Sequence, residues 1–175
     1  MNIGLVVEGP SDLIFFESQK TFFQSRHHFV VKIVPTHGKK NMIKDAHKHL
    51  KILRSLQCDK VIYFIDQDFD ACPPATAARL NSIKQEADVL ICVLTRELEG
   101  WFLADSDAVK KATGQNYNSH TDDVTDAKEV LRALFKKDPL EVVTDIEVAK
   151  SMLPHYFFPR ASNRNRSITR FLCKI

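Results

Sequence analysis

Carboxylates recur at short spacing in three places in this chain. Glu8-Gly9-Pro10-Ser11-Asp12, Asp66-Gln67-Asp68-Phe69-Asp70 and Arg96-Glu97-Leu98-Glu99 each follow directly on an apolar run. A fourth such run leads instead into the basic stretch Pro35-Thr36-His37-Gly38-Lys39-Lys40-Asn41. Acids gathered this densely repel one another unless protons or a cation neutralise them. Ligands that are all oxygen, with room left for water and phosphate oxygens, favour Mg2+ or Mn2+ over zinc. Glu8 closes its run, Gly9 permits a tight turn, and Asp12, one turn into a helix started by Pro10-Ser11, can point back toward Glu8. Asp66 and Asp68 alternate about Gln67, which in an extended chain sets both side chains on one side. If the first and third runs are neighbours, Glu8, Asp12, Asp66 and Asp68 converge. Each motif has a plainer explanation too: Ser11 or Asp12 as a helix cap, the D-x-D as an ordinary loop, and Asp70, beside Ala71-Cys72-Pro73-Pro74, as a turn residue.

The elements that must position these groups are legible as an alternation. Ile3–Val7, Phe29–Val34, Val61–Ile65 and Val89–Leu94 are nearly continuous in aliphatic residues, as strands covered on both faces are. Helical patterns lie between them, at Ser11–Ser25, at Asn41–Leu56 with Met42, Ile43, Ala46, Leu50 and Leu53 on one stripe, and more weakly at Thr76–Glu86. The expected fold is α/β: a mostly parallel four-stranded sheet with flanking helices, in which functional groups gather at the carboxyl ends of the strands. Beyond it the spacing predicts helices from Leu98 through Val109, with a break at Asp105-Ser106 and a stop at Gly114. A polar loop over Gln115–Asp123 follows. Helices are then expected over Asp126–Lys137 and Asp145–Leu153, separated by Asp138-Pro139, then an irregular stretch from Pro154 to Asn165 and a last helix over Ser167–Lys174. The 175 residues are room for one domain, read as a sheet core over 1–95 with a helical extension over 96–175 packed on it.

Composition narrows the function classes. Apolar residues make up 44% and charged residues 27%, a globular balance. No run of eighteen apolar residues offers a membrane span, and MNIGLVVEG lacks the basic start and cleavage site of a signal peptide. Cys58, Cys72, Cys92 and Cys173 are scattered without a C-x-x-C pair, which argues against a zinc or disulfide framework and suits a reducing cytoplasm. The net charge of +3 is unevenly spread. Residues 20–60 carry ten Lys/Arg against two acids, 97–147 twelve acids against six bases, and 154–175 five bases and no acid. Basic segments flanking an acidic one suit a polyanion with a metal between them, the alternative being solvated helix faces.

With VVEGPSD (Val6–Asp12) and YFIDQDFD (Tyr63–Asp70), the chain resembles the Toprim domain, the metal-binding Rossmann-like fold of topoisomerases, primases and OLD-family nucleases. Nearly its whole length is similar to a Toprim-related bacterial group, the domain-of-unknown-function 4276 family. That likeness rests on Glu97-Leu98-Glu99-Gly100-Trp101-Phe102-Leu103-Ala104-Asp105, on Asp126-Ala127-Lys128, and on Asn165-Arg166-Ser167-Ile168-Thr169-Arg170-Phe171. The resemblance implies Mg2+- or Mn2+-dependent phosphodiester chemistry, with Glu8 as general acid/base and Asp66 and Asp68 holding metal. Asp12, Glu97 and Glu99 could supply further metal ligands, and Lys128 a transition-state cation. The chain departs from the pattern in lacking the Gly common after the Toprim D-x-D. It also has no topoisomerase tyrosine motif and no primase zinc module, so strand passage and priming are not expected.

The expected function is thus a nuclease acting on nucleic acid, DNA first. Two ions could clamp one phosphate, one activating water and the other steadying the leaving oxygen. Lys128 or Arg96 could neutralise charge on the phosphate, while Lys39 and Lys40 at a helix start could hold the backbone. Arg160, Arg164, Arg166 and Arg170 could grip nucleic acid or pair internally, and internal pairing is expected for the last two. His37 is read as a loop hydrogen-bonder, His47 and His49 as surface, and Trp101 and Phe102 as core. Glu97 and Glu99 face one way only in an extended segment, so both bind metal only if the next helix begins at about Glu99. Proteins of this kind are often encoded beside an ATPase. The chain has no Walker A motif, so an ATP-driven role, for example in anti-phage defence, would need such a partner. Two other readings stay open. One is a haloacid-dehalogenase-like phosphohydrolase with Asp66 as nucleophile, although Asp70 stands where such enzymes prefer Thr or Val. The other is a non-catalytic Toprim-like module that binds a partner.

Overall fold

The computed structural model describes residues 1–138 and 140–175, so the Pro139 half of the expected helix separator lies outside the described residues. The chain divides into two compact units, Met1–Val93 and Leu94–Ile175.

The first unit is built on parallel strands. β1 (Asn2–Val7) leads into α1 (Pro10–His27), and β2 (Val30–Pro35) into α2 (Lys39–Lys44) and α3 (Ala46–Ser55). β3 (Lys60–Asp66) is followed by α4 (Pro73–Ala78) and β4 (Val89–Leu94). The sheet is four-stranded and all parallel, in the order β2-β1-β3-β4, consistent with a Rossmann-like fold. Leu5 lies opposite Ile33 of β2 and Ile62 of β3, which fixes β1 and β3 as neighbours. The four apolar runs are not equally buried. β1 and β3 are covered almost throughout, whereas β2 and β4 are edges, and Val30 is 52% exposed. An aliphatic run signals a strand but not its place in the sheet. Gly4 in β1 leaves room for α3: a Cβ there would meet Leu53 Cδ1 at 2.7 Å.

Two helices depart from the periodicity. The expected helix over 41–56 is two, breaking at Asp45. The buried Tyr63 hydroxyl donates to the Ala46 carbonyl at that junction (2.6 Å), taking an acceptor that an unbroken helix would use itself. The expected helix over 76–86 is only Pro73–Ala78. Pro73 and Pro74 preset its first turn, and Leu80 and Ile83 are then buried by turns with i to i+3 hydrogen bonds.

The second unit is helical: α5 (Glu99–Ala104), α6 (Ser106–Thr113), a 3-10 turn at Thr121–Asp123, α7 (Ala127–Phe135), α8 (Asp145–Met152), α9 (Phe158–Ser162) and α10 (Arg166–Leu172). The break at Asp105 and the stop at Gly114 (φ 75°) fall as expected, while the stretch expected to be irregular contains α9. Trp101 and Phe102 are core: the Trp101 ring lies 5.8 Å from Phe171 and 5.7 Å from Phe158, and its Nε1 donates to Ser167 Oγ (2.7 Å). Among the described residues no helix is long and apolar enough to cross a membrane.

Candidate functional site

Strand order decides what the sheet unit brings together. Glu8 follows the last residue of β1, Asp66 ends β3, and the two strands adjoin. Glu8 Oε1 accepts the Asp66 amide at 2.9 Å. The loop after β2 folds over the same end. The Gly38 amide donates to the Glu8 carbonyl (2.7 Å), and Thr36 donates to the Val7 carbonyl from its amide (2.9 Å) and its hydroxyl (3.1 Å). His37 (φ 58°) and Gly38 (φ 112°) are both left-handed and turn the chain sharply into α2. The first residue of that helix, Lys39, reaches back to the Asp66 carbonyl and to Asp68 Oδ2, the latter at 2.8 Å.

Asp68 arrives by a different route from the expected one. β3 ends at Asp66, Gln67 is buried, and Asp68 is left-handed (φ 48°), so the pleat does not carry the alternation as far as Asp68. A turn carries it instead. The Asp70 amide donates to the Gln67 carbonyl, Gln67 Nε2 donates to the Asp70 carbonyl (both 3.0 Å), and Arg79 grips the Asp70 carboxylate through Nε (2.8 Å) and Nη2 (2.5 Å). Arg79 holds the Asp70 carboxyl down at about 2. Asp70 is thus the turn residue of the plainer reading, and Phe69 at the tip of its turn is 96% exposed. A non-glycine residue at positive φ carries strain that the surroundings must hold in place; here Lys39 and the Arg79–Asp70 pair flank it.

Asp12 lies in the first turn of α1, where its Oδ2 accepts the Gly9 amide (2.7 Å) in a capping box. It still acts on Glu8 through its charge. Burial pushes the Glu8 carboxyl up to about 7. The Asp66 amide and the Lys39 charge work against this, and Asp12 and Asp68 add to it. Among the described residues no three Asp, Glu, His or Cys side chains form a ready-made cage for a metal ion. The donors nevertheless fit a hard dication in kind: they are all oxygens, and a half-buried carboxyl among other acids calls for positive charge. In this structure Lys39 supplies part of that charge.

The helical unit has a cluster of its own. Glu97 and Glu99 were expected to share a direction through an extended segment, with the helix starting at about Glu99. α5 does start there, but Arg96 is left-handed (φ 63°) and Leu98 helical, so the segment is a turn. Both carboxylates still lie 3.9 Å from Lys128 Nζ, and Asp145 lies 3.5 Å from it. Burial again pushes Glu99 up to about 7, with the Lys128 charge opposing. Burial also works against the Lys128 charge, but Glu99, Asp145 and Glu97 outweigh it and raise its pKa. The sequence reading missed Asp145 and Arg132, which donates to it through Nε (3.0 Å). Asp145 opens α8 directly after the Thr144–Glu147 capping box, in which it takes no part, and nothing in its own neighbourhood points to Lys128.

Other expected residues lie elsewhere. Lys40 is exposed beside Lys39. The Arg160 guanidinium is held by the fully buried Asp105 through two 2.8 Å hydrogen bonds, and also donates to the His155 carbonyl. Arg164 donates to the Tyr117 (3.2 Å) and Ser119 (2.7 Å) carbonyls, pinning the polar loop. Both thus display the internal pairing that was the alternative to gripping nucleic acid. His49 is not a surface residue: it is 8% exposed, because Leu50 and Leu53 turn that side of α3 inward, and burial lowers its pKa. Comparison of the chain with family models, curated proteins and solved structures finds no match.

Proposed function

We propose that this protein is a Mg2+- or Mn2+-dependent phosphodiester hydrolase acting on nucleic acid, with its chemical centre at Glu8, Asp66, Asp68 and Lys39. The observation that carries this reading is the meeting of Glu8 and Asp66 at the carboxyl ends of two adjoining parallel strands, with Glu8 fixed by the Asp66 amide. A carboxyl lifted to about 7 is matched to proton transfer near neutral pH. With Oε1 held by that amide, Oε2 is the oxygen to take or give the proton. Asp66 and Asp68 would hold the dication, which supplies Lewis acidity to a phosphoryl oxygen and a more acidic bound water. Lys40, exposed at the start of α2, faces solvent where a phosphate backbone can reach it.

The test is nicking of supercoiled plasmid with Mn2+ by the native protein, and its loss in Glu8→Gln. The same metal should raise the melting temperature by a few degrees, because a ligand of the native state stabilises it, and Asp66→Asn should abolish that rise. One observation favours a second reading, a module that binds metal or a partner without cleaving: Lys39 already occupies the Asp66 carbonyl and the Asp68 carboxylate. Metal-dependent stabilisation with no cleavage under any divalent ion would select it.

A further inference from the structure

We propose that Lys39 is an exchangeable counter-cation: in the metal-free protein its ammonium holds the Asp66–Asp68 turn, and an incoming divalent ion takes over those oxygens and frees the ammonium for the substrate phosphate. This rests on the metal-dependent reading above. It assigns Lys39 a positioning role before substrate binds and a phosphate-contacting role afterwards.

Three observations lead to it. Lys39 does not extend into solvent as a lysine at a helix start ordinarily does. The left-handed pair His37 and Gly38 turns α2 so that its first residue lies against the end of β3, where the ammonium donates to the Asp66 carbonyl and Asp68 Oδ2. The atoms it holds are oxygens of the two residues best placed to ligate a hard dication, and its charge also acts on Glu8. A cation placed there does electrostatically what a metal ion would do, at half the charge. Finally, the contact is built to be given up. The Asp68 side chain is 45% exposed and that of Lys39 20%, so water reaches the pair from the Asp68 side and partly screens it, while the four-carbon stem lets the ammonium swing without moving α2. A divalent ion carries twice the charge of the ammonium and would gain from both Asp66 and Asp68. The displaced ammonium stays tethered by its stem to the first residue of α2.

Calorimetric titration of the 175-residue protein with MnCl2 distinguishes this from a fixed structural salt bridge. Lys39→Met removes the competitor and should bind Mn2+ more tightly than the native protein, by about tenfold, although it loses affinity for nucleic acid. Those opposite signs are the signature, since a merely structural lysine would weaken both. The native protein supplies a second measurement that needs no substitution. Acylation of lysine amines, read residue by residue by mass spectrometry, should rise several-fold at Lys39 when Mn2+ is added and stay level at Lys40. Lys39 labelling that Mn2+ leaves unchanged, or equal Mn2+ affinity in a folded Lys39→Met, overturns the exchange. If the native protein in that case still binds Mn2+ and nicks plasmid, the proposed function stands without it. If neither protein binds a divalent ion, both fall.

Discussion

Lys39 and Lys128 occupy the same chemical position, a lysine among carboxylates, in two differently built regions. In the sheet unit the acids come from strand ends and a turn. Contact is direct, at 2.8 Å to Asp68, and its geometry is written in the backbone through the left-handed residues His37, Gly38 and Asp68. In the helical unit Lys128 stands 3.5 to 3.9 Å from three carboxylates, and its position comes from the way α5, α7 and α8 pack. Glu8 and Glu99 are pushed to about 7 by the same first cause, burial. The leading opposing influence differs: for Glu8 it is a backbone amide, for Glu99 the lysine charge. A carboxyl steadied by a backbone amide keeps its environment when a side chain is lost. One steadied by a lysine does not.

The comparison breaks most visibly in activity. Glu8→Gln should reduce plasmid nicking by at least about a hundredfold, as removal of a general acid/base does, and Glu99→Gln should reduce it far less. The reverse order, read from initial rates at saturating Mn2+, would move the chemical centre to the helical unit. Stability gives the next largest contrast. Lys128→Met strands the buried Glu99 and should cost about 2–3 kcal/mol in urea unfolding, whereas Lys39→Met, whose partner Asp68 is 45% exposed, should cost about 1 kcal/mol or less. Equal losses would mean that the two lysines are held alike.

The pH dependence sharpens the point. Glu8 and Glu99 bind protons more tightly folded than unfolded, with folded values of about 7 against an ordinary 4.5. The stability they contribute is therefore full below about pH 4.5 and lost as pH rises through about 7. Unfolding free energy should fall between pH 5.5 and 8, with Glu8→Gln and Glu99→Gln each removing a share on the order of 2 kcal/mol. Because the lowered His49 works in the opposite direction over the same range, the difference between native and variant profiles is what decides, and a profile that neither substitution changes would show that neither carboxyl is raised. The smallest effect belongs to the strap over β1. Thr36→Val deletes the hydroxyl bond to the Val7 carbonyl and should cost about 1 kcal/mol. It should also lower nicking several-fold by loosening the Glu8 backbone, with no counterpart in the helical unit.

Much of this arrangement can be read from residue order. Continuous aliphatic runs announce four strands, and E-G and D-x-D at two of their ends announce the acids. The capping roles of Asp12 and Asp105 follow from residue type, whereas the first helix is entered at Gly9 and not at Ser11. What pattern alone misses is pairing between distant positions. Asp105 holds Arg160, fifty-five residues away, and Asp145 meets Lys128 across two helices. Neither partner carries a local mark of the other. His49 looks like its lysine-flanked neighbour His47 until α3 is set against the sheet. A single backbone choice at Asp68 also replaces the expected pleat with a turn.

The sequence by itself determined that the sheet unit is α/β and parallel, and that its carboxylates stand at strand ends. Burial pattern and turn chemistry act within a few residues and leave their trace in local order. Only the tertiary structure decided that β1 lies beside β3, that Lys39 rather than open water faces Asp66 and Asp68, and that Glu8 and Glu99 are buried enough to hold protons near neutrality. Desolvation and Coulomb energy depend on distance through space, and distance along the chain does not report it.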